Sequence, residues 1–116
     1  MSMNVYIYAE REVKAKLKKG DEVVSTQREK WNALQTPTVD TYEIVNSSDP
    51  KQAYVDWCFS KSNPESIPIY AEDDIFNERD PIGWEEYDFY VDHVAQFEEW
   101  FYNMDQQGYT VKFEVI

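Results

Sequence analysis

The clearest repeating pattern of apolar residues lies near the carboxyl end of the chain. Its members recur at spacings of three and four between residues 88 and 107: Tyr90, His93, Val94, Phe97, Trp100, Phe101 and Met104. That spacing places them on one side of a helix. Gly108 follows where many helices end in a left-handed residue. We therefore predict a long helix over residues 88–107 with one buried face.

Alternating apolar and polar positions predict strands at both ends of the chain. Residues 109–115 alternate strictly, with Tyr109, Val111, Phe113 and Val115 on one side. At the start, residues 4–9 form a β-branched and aromatic run. In residues 13–17, the apolar side chains of Val13, Ala15 and Leu17 alternate with lysines. A turn is expected at residues 19–21, followed by a return strand over residues 23–34 in which the polar residues 27–30 could loop.

Two helix-start signals divide the middle of the chain. Thr36-Pro37 combines an N-cap hydroxyl with a proline at the first helical position, and predicts a helix to about residue 45. Asp49-Pro50 repeats the signal, Gln52 completes a capping box, and this helix should reach about residue 60. The inner sides are predicted to be Val39, Tyr42 and Val45 in the first helix, and Ala53, Tyr54, Trp57 and Cys58 in the second.

The segment before the last helix has weaker signals. Residues 67–71 are apolar but contain Pro68, which restricts them to an edge strand. Residues 72–84 form an acidic loop with apolar tethers. The whole pattern predicts one α+β domain of 116 residues. A small, mostly antiparallel sheet of N- and C-terminal strands would pack against about three helices.

The charge is distributed unevenly. The formal net charge is −12. Residues 1–62 contain nine acids and nine bases, whereas residues 63–116 contain 14 acids and two bases, so the second half carries the whole imbalance. Such a chain should repel nucleic acid and attract a basic partner, including a nucleic-acid-binding protein.

The predicted partner-binding site is an acidic face between residues 72 and 105. No lysine or arginine occurs from Pro81 to Val111, so the usual ion pairs along the last helix are absent. Glu98, Glu99 and Asp105 also lie in its C-terminal half, where the helix dipole favours cations. The acids of this face are Glu72, Asp73, Asp74, Glu78, Asp80, Glu85, Glu86, Asp88, Asp92, Glu98, Glu99 and Asp105.

Three interpretations of this face stay open at the level of sequence. Carboxylates four residues apart on a helix are about 6 Å apart along its axis, so a row of them could imitate a DNA backbone. The face could equally serve a different acidic contact with a basic protein, or only solubility. Trp84, Tyr87 and Phe89 are candidate aromatic anchors for a partner.

Catalytic motifs are sparse. His93 and Cys58 each lie on an apolar helix stripe, which favours packing roles over a Cys-His pair. The three glycines form no phosphate-binding loop, and we expect no cofactor. One enzymatic alternative is a metal-dependent hydrolase using Asp73, Asp74 and Glu78. Another alternative is a self-associating module, in which surplus aromatic residues form a homodimer interface.

One cysteine excludes an internal disulfide, and neither a signal peptide nor a membrane-length apolar run is evident, so we expect an intracellular protein.

Four stretches resemble small accessory proteins of tailed phages and prophages: Gln-Thr-Pro-Thr at 35–38, Ser-Ser-Asp-Pro-Lys-Gln-Ala-Tyr at 47–54, Tyr-Ala-Glu-Asp-Asp-Ile-Phe at 70–76 and Phe-Glu-Glu-Trp at 97–100. The similarity spans most of the chain from Asn4 onward, and it includes no catalytic motif.

This resemblance implies a phage accessory protein acting in the bacterial cytoplasm against a host defence or regulatory system. In size, acidity and aromatic content the chain also resembles phage anti-restriction and anti-CRISPR proteins. Because folds within those groups are unrelated, the resemblance adds nothing to the fold prediction. The function expected from the sequence is therefore a non-enzymatic inhibitor that presents an acidic, DNA-mimicking surface to a basic host protein.

Overall fold

The computed structural model describes residues 3–17, 19–71 and 80–116. The fold is α+β, as predicted, and these described residues form three helices and two antiparallel sheets. The elements in chain order are β1 (Met3–Lys16), β2 (Glu22–Trp31), β3 (Gln35–Thr36), α1 (Thr38–Val45), α2 (Pro50–Ser60), β4 (Glu65–Ile69), β5 (Gly83–Tyr87), α3 (Phe89–Gln106) and β6 (Thr110–Val115).

The main sheet is organised around β1. This strand pairs antiparallel with β2 from Ile7 to Lys16 and with β6 from Val5 to Glu10, while its first residues pair with β3. The predicted strands at residues 4–9 and 13–17 are therefore one continuous strand. The polar residues 27–30 belong to β2 instead of a loop, because each has a partner on β1.

A second, two-stranded sheet lies outside the main one. β4 pairs with β5 in the register Glu65 to Tyr87 through Ile69 to Gly83. The edge strand containing Pro68 was predicted, but β5 was not. We call β4 and β5 the ribbon. The expectation that all strands belong to one sheet is corrected accordingly.

The core lies between the main sheet and the three helices. Val5 and Ile7 on β1 are almost fully buried. The helices cover them with an aromatic and aliphatic cluster in which Tyr54, Cys58 and Phe97 have no exposed surface. Each buried aliphatic side chain contributes about 1.5–3 kcal/mol relative to an exposed one. This cluster fixes α3, and hence its outer face, on the sheet.

Capping residues set the ends of α2 and α3. The Asp49 carboxylate accepts a bond from the Gln52 backbone N–H, as predicted, although the Gln52 side chain bonds to Asp56 and does not complete the box. At the end of α3, Gly108 has φ +83°. The backbone N–H groups of Gly108 and Tyr109 bond to two carbonyls of the last turn, which is a Schellman motif.

The face of α1 differs from the prediction. Val39 is 67 % exposed and Tyr42 is 45 % exposed, whereas Thr41 and Ile44 are buried. Pro37 occupies the cap position and no side chain caps the helix. The Thr36 hydroxyl instead contacts the Thr41 hydroxyl inside the protein. This buried polar contact sets the rotation of α1 and turns Val39 and Tyr42 outward.

Among the helices that the structure describes, none is both long and apolar enough to cross a membrane.

Candidate acidic interaction surface

The start of α3 organises the candidate site. Asp88 is the N-cap: its carboxylate accepts bonds from the backbone N–H groups of Tyr90 and Val91. The Ser62 hydroxyl donates a further bond to Asp88 and so connects the segment before β4 to the start of α3. Ser62, together with those backbone donors, holds the pKa of Asp88 below its usual value. Asp88 therefore has a structural role in addition to its negative charge.

Three carboxylates converge where the ribbon meets α3. Asp88 and Asp92 of the helix region and Glu86 of β5 line a shallow groove of about 380 Å³. Its remaining lining residues are Pro64, Tyr87, Val91 and Ala95. The groove thus combines negative charge with a small apolar floor, a composition suited to the aliphatic stem and charged head of a lysine or arginine.

Further acids continue this charge along the outer face of α3. Asp92 and Glu99 lie two turns apart, and both are exposed. Glu98 and Asp105 are likewise exposed on the neighbouring row of the helix. We call the exposed set the acidic surface; it consists of Glu86, Asp92, Glu98, Glu99 and Asp105.

Not every predicted acid joins this surface. Glu85 neighbours Glu86 on β5 and therefore points to the opposite face of the ribbon. Asp80 is exposed, but it lies beyond the end of the ribbon that is far from α3. The remaining predicted acids, Glu72, Asp73, Asp74 and Glu78, lie outside the described residues, as does the metal-dependent alternative that uses three of them.

The described lysines and arginines do not neutralise the acidic surface. The ion pairs among described residues join Lys14 to Glu22, and Arg28 and Lys112 to Glu10. Five cations, including the ion-paired Arg28, lie over aromatic rings at 4.4–5.8 Å from the ring centroids, namely Arg11, Arg28, Lys30, Lys51 and Lys61. In the described part of the chain, the acidic surface thus has no ion-pair partner within 4.0 Å.

The predicted aromatic anchors differ in availability. Trp84 is 64 % exposed and shares a face of the ribbon with Glu86, since the two are separated by one residue. Tyr87 is exposed and lines the groove. Phe89 is half exposed, but its ring stacks on His93 with centroids 6.3 Å apart. Trp84 and Tyr87 are therefore the more available anchors.

An apolar row on the outer face of α3 was missed at the level of sequence. Val91, Ala95 and Tyr102 are exposed and lie within the same row as Glu98. Val91 and Tyr102 are 11 positions apart, about three helical turns, and neither belongs to the inner stripe. A full helical projection would have revealed this row.

Cys58 is fully buried, and His93 is half-buried with its ring packed against Trp31 and Tyr54, so both have the predicted packing roles. The His93 Nε2 atom is 2.8 Å from the Tyr54 hydroxyl, and burial lowers the pKa of the imidazole. Burial raises the pKa of the Cys58 thiol to about 11, so the thiol is protonated at neutral pH. Within the described residues, no group of three or more His, Cys, Asp or Glu side chains is arranged to hold a metal ion.

Comparison of the chain with protein-family models, curated proteins and solved structures finds no match.

Proposed function

We propose that this chain is a non-enzymatic interaction protein that binds a basic protein through its acidic surface. The observation that supports the proposal is the absence of ion-pair partners for that surface among the described residues, although nine lysines and arginines are described. Like charges on one helix without nearby cations lower the stability of the fold. Their presence therefore favours a role in binding over a role in folding.

The geometry suggests how a partner would be recognised. Lysines or arginines of the partner would enter the groove beside Glu86 and Asp92 and continue along α3 to Glu99. The charge would accelerate encounter, and desolvated contacts with Trp84 and Tyr87 would slow dissociation. A partner that normally binds DNA fits this description, because its basic groove already accepts a row of negative charges.

The resemblance to phage accessory proteins supplies the biological context of the proposal. In that context the partner is a defence or regulatory protein in the cytoplasm of a bacterial host, and binding would inhibit it by occupying its nucleic-acid site. The inhibition requires no chemical step by this chain.

The first prediction concerns the charge of the acidic surface. The double reversal Asp92→Lys/Glu99→Lys should weaken binding at least about 100-fold, because it replaces two attractive contacts by two repulsive ones. Binding of the unaltered chain should also weaken steeply between about 50 and 500 mM NaCl. The measurement is affinity capture from bacterial lysate at both salt concentrations, followed by calorimetry with the purified partner.

A matched control separates local from overall charge effects. Glu43→Lys/Asp56→Lys makes the same change in net charge at two exposed helical acids, on α1 and α2. Those residues line a different groove together with Asp40. The control should retain binding within about threefold. Equal loss in both double variants, or an affinity independent of salt, would contradict the proposal.

A further inference from the structure

One edge of β1 lacks a neighbour over part of its length. β2 pairs with β1 as far as Lys16, whereas β6 pairs only as far as Glu10. In the described part of the chain, no strand pairs with residues 11–16 on the β6 side. We call this stretch the free edge, and the protruding part of β1 and β2 the arm.

The pairing pattern shows which backbone groups face the free edge. Asn4 exchanges both backbone bonds with Ile116, next to β6, while the Leu17 N–H bonds toward β2 at Asp21. Because backbone groups alternate between the two sides of a strand, even-numbered residues of β1 face the β6 side. The N–H and C=O groups of Glu12, Lys14 and Lys16 therefore point out of the free edge.

Space is available beside these groups. A groove of about 740 Å³ runs along the root of the arm, between residues 10–14 of β1 and residues near the start of β6. A strand edge with unpaired backbone groups is a template for another strand. A two-stranded arm is also only marginally stable by itself, so a further strand would stabilise it.

We infer that the free edge pairs with the free edge of a second copy of this chain, antiparallel and around a two-fold axis. In the pairing centred on Lys14, Glu12 lies opposite the partner's Lys16, and Lys16 lies opposite the partner's Glu12. Two opposite-charge pairs thus flank a single Lys14–Lys14 pair. On the other face, Val13 lies opposite the partner's Ala15.

Neighbouring registers are less favourable. A shift of two residues in one direction places the partner's Lys16 opposite Glu10, where Thr110 of β6 already pairs. A shift in the other direction brings Lys14 opposite the partner's Lys16, and like charges directly opposite are destabilising. The charge pattern and the end of β6 therefore select one register.

The distribution of charge favours a second copy of the chain at the free edge. The acidic surface extends along α3 from Glu86 and Asp92, at the end remote from the arm, to Asp105 beside the arm. α3 is about 27 Å long, well beyond the screening length of about 8 Å at physiological salt. Pairing through the arms thus keeps most of the acids of two copies apart. A free edge of six residues is about 20 Å long, so the interface is small and the association weak.

Sedimentation equilibrium of the full chain at about 150 mM NaCl tests the inference. We expect dimers to appear at high micromolar concentration. Lys14→Pro should weaken dimerisation at least about tenfold, because proline removes the outward N–H without removing a bond to β2. The control Lys14→Gln keeps the N–H and removes the Lys14–Lys14 repulsion, so it should dimerise as well or better. A chain that stays monomeric, or equal dimerisation of both variants, overturns the inference.

A charge swap tests the register independently of backbone effects. Glu12→Lys and Lys16→Glu should each weaken dimerisation, since each replaces two opposite-charge pairs by like-charge pairs. The double variant Glu12→Lys/Lys16→Glu restores both pairs and should dimerise within about threefold of the unaltered chain. Circular dichroism of each variant checks the fold. Failure of the double variant to recover, with the fold intact, overturns this register and the inference with it.

Discussion

Tyr54 connects several parts of the core. Its hydroxyl accepts a bond from the Leu34 backbone N–H at 3.0 Å and shares a second bond with His93 Nε2 at 2.8 Å. Its ring packs edge-on against Phe97. Burial raises the pKa of the Tyr54 hydroxyl, which therefore stays protonated. One side chain thus joins α2 to α3 and to the segment after β2.

We predict that Tyr54→Phe destabilises the protein by about 1–3 kcal/mol. The ring still fills its place, but the Leu34 N–H and the His93 ring nitrogen each lose a buried partner. Urea unfolding followed by circular dichroism measures the effect. Tyr102→Phe is the matched control: Tyr102 is 62 % exposed, so its change should stay within about 0.5 kcal/mol. Equal stability of Tyr54→Phe and the unaltered chain would contradict the bridging role.

At the scale of the element, the charges of α3 are suited to its dipole at one end only. Asp88 and Asp92 lie at the N-terminal end, where negative charge is favourable. In the last turn Asp105 is acidic and no basic residue is present. The same helix therefore carries stabilising acids at its start and a destabilising acid at its end.

We predict stability changes of opposite sign at the two ends of α3. Asp105→Asn should stabilise the protein by about 0.3–1 kcal/mol, because it removes a negative charge from the negative end of the dipole. Asp92→Asn should destabilise it by a similar amount, and it also weakens the bond accepted from the Gln96 side chain. Urea unfolding at low salt measures both. The same sign for both variants would contradict the electrostatic explanation.

The sequence predicted best the elements whose signals are local. α3, α2 and β6 have regular apolar spacing, and Asp49 and Gly108 mark ends that the structure confirms. Which face of α1 is buried was not predictable in the same way, because the rotation of this helix depends on the contact between Thr36 and Thr41. β5 was missed because its acidic sequence lacks a strand pattern and its pairing with β4 spans an intervening segment.

The candidate site was predictable in composition but not in shape. A helical projection of the sequence is enough to place Asp92 and Glu99 on the outer face of α3. The convergence of Glu86 with Asp92 around a groove depends on the missed strand β5. Among the described residues, no ion pair joins the arm lysines to the acidic surface, and only the tertiary structure could establish this.

At the scale of the whole molecule, the fold is unusually extended for its length. It measures 72 × 39 × 24 Å, and its radius of gyration is 20.7 Å. A compact domain of this length would have a radius of gyration of about 13 Å. The arm leaves the body beside the C-terminal end of α3, where Arg11 donates to the Gln107 carbonyl. The ribbon joins α3 at its other end, through Asp88.

This extended shape keeps surfaces of opposite sign in different places. Folding the arm back onto the acidic surface would satisfy charges within one molecule, but it would require bending β1 where the sheet is continuous. The regular pairing of β1 with β2 through the root of the arm opposes such a bend. Both surfaces are therefore exposed.

Solution scattering should consequently give a radius of gyration of about 21 Å for the monomer at high dilution, close to the 20.7 Å of the described structure. The value should not change between about 50 and 500 mM NaCl, because no attraction between arm and acidic surface has to be screened. A variant in which an Asn-Gly turn replaces residues 14–24 keeps Val13 opposite Ser25, a hydrogen-bonded pair, and shortens the arm. Its radius of gyration should fall by several Å. A value near 13 Å for the unaltered chain at low salt, rising with salt, would mean that the arm folds back and that its lysines neutralise the acidic surface.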